Sequence, residues 1–252
     1  MATRRISRIR YAGRLLISPL ALGLLTLAGC GLSGTVGVRA TPTPTFVVTA
    51  ASVLQHAQSV KFTDVTLTMT LDGSLLGGLG SLGGQTGASG PMTMTIKTTT
   101  NPKRADVTMS FTVNGQQSSI EMLSDDKTNT TYTRFTPALI PGDDKWTKSS
   151  GMGLASVYDP SLYLNFSDLE NPTLVGEETL NGMSVWHVKA AQSTFGNDQA
   201  SEDIYVRADN FEPYQLKYAI SGTTKESVTI AFVAINSHIT IALPPASQVQ
   251  SV

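Results

Sequence analysis

Residues 64–71, Asp64-Val65-Thr66-Leu67-Thr68-Met69-Thr70-Leu71 (DVTLTMTL), place an apolar side chain at every second position with threonine between. Successive side chains of an extended strand point to opposite faces, so this stretch reads as a strand with one buried and one wetted face. Threonine is β-branched and suits the wetted side. The same period returns in PMTMTIKT (91–98), with Met92, Met94 and Ile96 on the apolar side, and in ADVTMSFTV (105–113), with Val107, Met109, Phe111 and Val113. Asn114-Gly115 follows, a strong hairpin signal. SSIEML (118–123) turns Ile120 and Met122 inward, and TTYTRFT (130–136) with KWTK (145–148) reads as a fifth strand and its continuation. Alternation this regular specifies an antiparallel sheet with one dry face.

Strand signals resume in the second half. TLVGEETLNGMSVWHVKA (173–190) is a hairpin about Asn181-Gly182, and EDIYVRAD (202–209) and PYQLKYAIS (213–221) meet at a turn containing Pro213. ESVTIAFVAI (226–235) and HITIALPP (238–245) read as the last two strands, Pro244-Pro245 ending the second. Two stretches break the period. Thr49 precedes a helical spacing of Val53, Leu54, Ala57 and Val60, which predicts a short amphipathic helix over 49–60. LASVYDPSLYLNFSDLENP (154–172) carries irregular helical spacing interrupted by Asp159-Pro160 and predicts one or two short helices over the sheet. The expected fold class is α+β: a sheet of about 9–11 antiparallel strands with two or three helices.

The N-terminus reads differently. Arg4, Arg5, Arg8, Arg10 and Arg14 are followed by an apolar segment, Leu15 to Leu27, too short for the roughly twenty residues of a spanning helix. A basic head, short apolar middle and small-residue end describe an export signal. Leu27-Ala28-Gly29-Cys30 matches the bacterial lipobox, in which the cysteine is acylated and the chain is cut just before it. Cys30 is the sole cysteine of the chain, so it has no disulfide partner within it. The expected organisation is a signal peptide over 1–29, a lipidated Thr/Pro-rich tether over 30–45, and a folded domain over 46–252. Cleavage removes five arginines and no acid, leaving 223 residues with 13 basic and 19 acidic side chains, a net charge of −6. That balance carries no basic footprint for nucleic acid.

Chemical signatures are sparse. His56, His187 and His238 stand without a second ligand at metal spacing, no Gly-x-Ser-x-Gly elbow occurs, and the glycine tract lacks the lysine of a phosphate loop. The aspartate pairs 125–126 and 143–144 read as polar turns, and GNDQASED (196–203) reads as a hairpin tip. The sequence therefore predicts neither an enzyme nor a cofactor or metal. Two features exceed what an ordinary sheet needs. Met69, Met92, Met94, Met109 and Met122 share the apolar face, where flexible, polarizable side chains suit irregular apolar partners. The tract from Gly73 to Gly90 carries Leu75, Leu76, Leu79 and Leu82, candidates for a lid or a membrane-touching finger.

The order of elements at Gly176-Glu177-Glu178, Asn181-Gly182, His187, Tyr205 and Pro213 resembles the LppX/LprG family of lipid-binding lipoproteins and, more broadly, the LolA/LolB carrier fold. The resemblance implies a half-open antiparallel barrel whose concave face is covered by helices, with a lipid cavity between; the glycine tract departs from the family's layout. The expectation is a membrane-anchored extracytoplasmic lipoprotein that binds and transfers a lipid or lipoprotein acyl chain, with Leu67, Met69, Met92, Met94, Met109, Phe111 and Met122 lining the cavity. The membrane is met through Cys30. The competing expectation is a solidly packed cell-surface interaction or sensing module.

Overall fold

The computed structural model describes residues 47–72, 88–113, 115–137, 145–151, 153–195, 198–221 and 226–250. Cys30, the signal and tether segments, and Leu75, Leu76, Leu79 and Leu82 lie outside them. Helix α1 (Ala50–Ser59) opens at Thr49, whose side chain accepts from Ser52 N while the Ser52 hydroxyl accepts from Thr49 N, a reciprocal capping box. Strands β1 (Asp64–Asp72), β2 (Ala88–Thr100), β3 (Lys103–Val113), β4 (Gln116–Asp125), β5 (Thr130–Thr136) and β6 (Trp146–Ser150) follow. A four-residue helix, α2 (Leu154–Val157), and a 3-10 helix (Pro160–Leu164) occupy the interrupted middle. Strands β7 (Leu169–Leu180), β8 (Met183–Phe195), β9 (Asp198–Arg207), β10 (Pro213–Ser221) and β11 (Glu226–Ile235) complete the second run.

All the strands join one sheet in the order β12-β6-β5-β4-β3-β2-β1-β11-β10-β9-β8-β7, with β12 (Val249–Gln250) at one edge. Neighbours along each run are consecutive in sequence, and the two runs meet where β1 pairs antiparallel with β11. The sheet is not closed: β12 and β7 are its edges. At the β7–β8 turn Asn181 and Gly182 both have positive φ, 53° and 81°, as a two-residue hairpin with the strand twist requires. Edge strand β7 carries Pro172 and two register shifts, and Gly176 takes φ 141°, a value that L side chains rarely adopt. Such irregularity blunts an exposed edge against further pairing.

Twelve strands exceed the nine to eleven expected, and the last expected strand is absent. HITIALPP runs without pairing, and the chain re-enters the sheet only at β12, which pairs parallel with β6. The cause is local. Asn236 and His238 adopt left-handed φ of 50° and 61°, turning the chain off the end of β11. The Asp64 carboxylate then accepts from the backbone N–H groups of Ser237 (2.8 Å), His238 (3.2 Å) and Ile239 (3.5 Å), donors that a ladder would have needed. Arg104 holds the same segment, donating to the Ile241 carbonyl at 3.0 Å while pairing with Asp125. Ile241 packs with Leu123, Trp146, Tyr132 and Val249 in a small cluster on the outer side of β4–β6. The aspartates 125 and 126 are thus not plain solvated turn residues: Asp125 is 5% exposed, and Asp126 accepts from Ser156 at the start of α2.

Burial raises the Asp64 carboxyl, but the three backbone donors and the Thr63 hydroxyl outweigh it and hold the group below the usual aspartate range. A lowered folded-state pKa gives stability that is full above the unfolded value of about 3.9 and is lost as pH falls through the folded one. Asp64→Asn should cost about 1–3 kcal/mol at pH 7, measured by urea unfolding. Its penalty relative to wild type should shrink below about pH 4. A penalty independent of pH would show that the charge is not what fastens the tail.

Candidate functional site

The apolar face is built row by row across the strands. One row runs Leu174, Val188, Ile204, Leu216, Ile230, Met69, Met94, Met109, Ile120, Phe135, each directly opposite the next from β7 to β5. Ten strands therefore contribute ten apolar side chains with no polar interruption. At about 4.8 Å per strand the row spans roughly 40 Å along the sheet. Helix α1 packs on β7 and β8, and α2 on β2, β3 and β4. A helix is about 10 Å across, so the two cover only part of that width.

Exposure varies both along the strands and across the sheet. Towards the end where β1 begins, Val65, Leu67, Ile96, Ala105 and Val107 are fully buried. Met69 and Met109, directly opposite buried Met94, and Leu71, Phe111, Tyr218 and Val228 further along pack against the same core but remain half-exposed, whereas Met92, Glu202 and Ala190 at that further level are buried. All seven proposed lining residues fall on this face: Leu67, Met92 and Met94 are buried, and Met69, Met109, Phe111 and Met122 are half-buried. The face is thus fully buried where β1 begins and less covered about Met69, Leu71, Met109 and Phe111, its half-open end.

A polar group missed by the sequence reading lies within it. The next row towards the half-open end runs Met92, Leu71, Val228, Tyr218, Glu202, Ala190. Glu202 is 2% exposed, although it sits among the apolar residues Leu216, Ile204 and Ala190. The Tyr218 hydroxyl donates to its carboxyl. Burial first, then the Glu202 charge and that hydrogen bond, drive the Tyr218 phenol far upward. Tyr163, from the 3-10 helix, is pushed up to about 12 by burial and by neighbouring Tyr158. The signal was available in parity: in EDIYVR, Glu202 shares its face with Ile204 and Val206 while Asp203 and Tyr205 face outward.

His187 lies on that outward face. Its Nε2 is 2.8 Å from Asp203, its Nδ1 is 3.5 Å from Glu178, and its ring stacks on Tyr205 at 4.5 Å. Both ring nitrogens face carboxylates, an arrangement that ties β7, β8 and β9 together. Among the described residues no group of three His, Cys, Asp or Glu could hold a metal ion, and no helix is long and apolar enough to cross a membrane.

No family model matches the chain, and no curated protein matches it by sequence. Among solved structures, the Mycobacterium tuberculosis lipoprotein LppX aligns over 77% of this chain and 98% of its own, at 13% identity and a TM-score of 0.51. The fold is that of LppX. A LolA superfamily protein from Nitrosomonas europaea aligns over 79% of this chain and 96% of its own at 12% identity, with a TM-score of 0.26. A lipoprotein-sorting domain from Vibrio parahaemolyticus covers 76% and 95% at 8% identity, also at 0.26. The assignment rests on LppX, with which the likeness extends over nearly the whole relative.

Packing along the graded face predicts different responses to added bulk. Met94→Trp, at 6% exposure, should overpack and cost about 1–3 kcal/mol. Met109→Trp, half-exposed, should change stability by less than about half of that. Equal destabilisation in urea melts would mean that these two neighbouring positions are packed alike.

Proposed function

We propose that this chain is a lipid-anchored extracytoplasmic protein whose domain binds a lipid or other amphiphile, and hands it on, from the half-open end of its apolar face. The observation that carries the reading is the ten-residue apolar row on an LppX fold, wider than the two helices packed on it. An open sheet covers most of such a row by curling, and an acyl chain would cover the half-buried part about Met69, Met109 and Phe111. Each methylene withdrawn from water contributes about 0.8 kcal/mol, so a long chain supplies micromolar affinity after ordering costs. Methionine at Met69, Met94 and Met109 accommodates chains of varying shape. Cys30 would carry the acyl anchor, and the proline-rich tether would separate it from the domain. No cofactor or catalytic step is needed for this activity.

The competing reading, a solidly packed interaction module, draws on the fully buried rows at the closed end. Native mass spectrometry of the protein isolated from its own membranes separates the two. The expected result is a mass excess, removed by solvent extraction, beyond the covalent acyl chains. A single species at the mass of the acylated chain would overturn the binding reading. Cys30→Ser should abolish incorporation of labelled fatty acid and release the domain from the membrane fraction. Met109→Trp should lower the lipid-loaded fraction severalfold while the fold is kept, because its bulk occupies the half-open end.

A further inference from the structure

Among the described residues the exposed large apolar side chains are Val47, Val157, Leu162, Val175 and Val233. Val175 lies on edge strand β7, and Val233 sits at the bulge of β11. Val157 and Leu162 belong to one segment: α2 ends at the first, and the 3-10 helix after it carries the second, at 53% and 60% exposure. That segment does not lack an inward side. Leu154, Ala155, Pro160, Leu164 and Phe166 are buried beneath it. Its turns are fastened as well. Asp126 accepts from Ala155 N (3.4 Å) and the Ser156 hydroxyl (3.0 Å), and Asp159 accepts from Ser161 N (2.9 Å) and the Ser161 hydroxyl (2.6 Å). Val157 and Leu162 are therefore held outward by a segment whose inward side is already filled. Tyr158 and Tyr163 follow them in sequence and are partly buried. Such rings, apolar with one polar tip, suit the boundary between lipid and water.

Charge narrows what can cover this pair. No lysine or arginine occurs from residue 149 to 188, whereas Asp159, Asp168, Glu170, Glu177 and Glu178 do. Between Leu154 and Leu164 the only charged side chain is Asp159, and Ser161 engages it. Two aliphatic side chains are also too few for a standard protein interface, which takes roughly twenty residues a side. An acyl anchor removes that requirement, because a tethered domain meets its bilayer at high effective concentration. The chain from 31 to 46 spans at most about 50 Å, so an anchored domain stays within reach of the surface. Resting on the proposed anchoring through Cys30, we propose that Val157 and Leu162, framed by Tyr158 and Tyr163, insert shallowly into a zwitterionic bilayer and seat the domain there. Apolar burial supplies the contact, and the acidic neighbours oppose attraction to an anionic surface. The seat also bears on cargo. Tyr163 lies close enough to Tyr218 for the two phenols to interact, and Tyr218 belongs to the less covered level of the apolar face. Docking through the 3-10 helix brings that level towards the lipid, which shortens the path of an acyl chain through water.

The test uses the acylated full chain in phosphatidylcholine vesicles. Cys30 is the sole cysteine and acylation consumes its thiol, so Leu162→Cys takes an environment-sensitive fluorophore at one place. Val233→Cys is the reference, 63% exposed but outside the segment. A phosphatidylcholine with a nitroxide near the glycerol end of its chain should quench the label at 162 severalfold more than the label at 233. Adding Val157→Asp should reduce the quenching at 162 to the level at 233, with urea melts unchanged because Val157 is exposed. Phosphatidylglycerol in the vesicles should leave the quenching unchanged or weaken it. Equal quenching at 162 and 233 would overturn the docking and leave the anchor standing. Blue-shifted emission at 162 without quenching would assign the patch to a protein partner or a second copy, and would overturn it too. So would quenching that requires phosphatidylglycerol. A mature chain without acyl groups would overturn the anchoring reading itself.

Discussion

An apolar face made by side-chain alternation has to be covered by something, and everything else in this molecule follows from how that is done. Each strand adds one inward apolar side chain about 4.8 Å from the last, so the face widens with every hairpin. Chain order adds strands in two runs, and the pairing of β1 with β11 fuses the runs into a single sheet. A face this wide exceeds what one helix can cover. Helix α1 lies on the β7–β8 side and α2 on the β2–β4 side, so the cover is divided between the two halves. Full burial of Leu67, Leu216 and Ile204 in the middle shows that the remaining width is closed by the fold as a whole.

Fastening the tail is the second consequence. Asp64 begins β1 at the closed end, and its carboxylate collects the backbone donors of residues 237–239. The chain is thereby turned from the end of β11 across to the outer side of the other run, where Arg104 and the Leu123–Trp146–Ile241 cluster hold it. One buried carboxylate thus links the two runs at the place where they are joined only by β1 and β11. At the half-open end no comparable fastening occurs among the described residues, and the same face there presents half-exposed Met109, Phe111 and Leu71.

The buried carboxyls Asp64 and Glu202 differ in their partners. Asp64 is met by backbone N–H groups from a tail that has no other partner for them, an arrangement complete in itself. Glu202 is met by a tyrosine from the adjacent strand in the middle of an aliphatic row, where an aliphatic side chain would have packed at lower cost. On the outward face, His187 with Asp203 and Glu178 ties β7, β8 and β9.

The sequence by itself determined the periods. Alternation at residues 64–71 and its repeats, the Asn181-Gly182 turn, the Thr49 cap and the interruption at Pro160 are local: each depends on a backbone geometry that its own residues favour. The inward set that includes Leu67, Met69, Met94 and Met109 followed from parity alone, because a strand can bury only one of its two faces. Tertiary structure decided the rest. Whether HITIALPP pairs depends on Asp64, 173 residues before Ser237, and no local pattern records that partner. That the row runs unbroken through β1 and β11 depends on register between strands far apart in sequence. The same register puts Glu202 directly opposite Tyr218, a pairing that no local pattern in EDIYVR records. Local geometry is specified by neighbours along the chain, whereas the chemistry of this site arises only when the sheet brings distant strands into line.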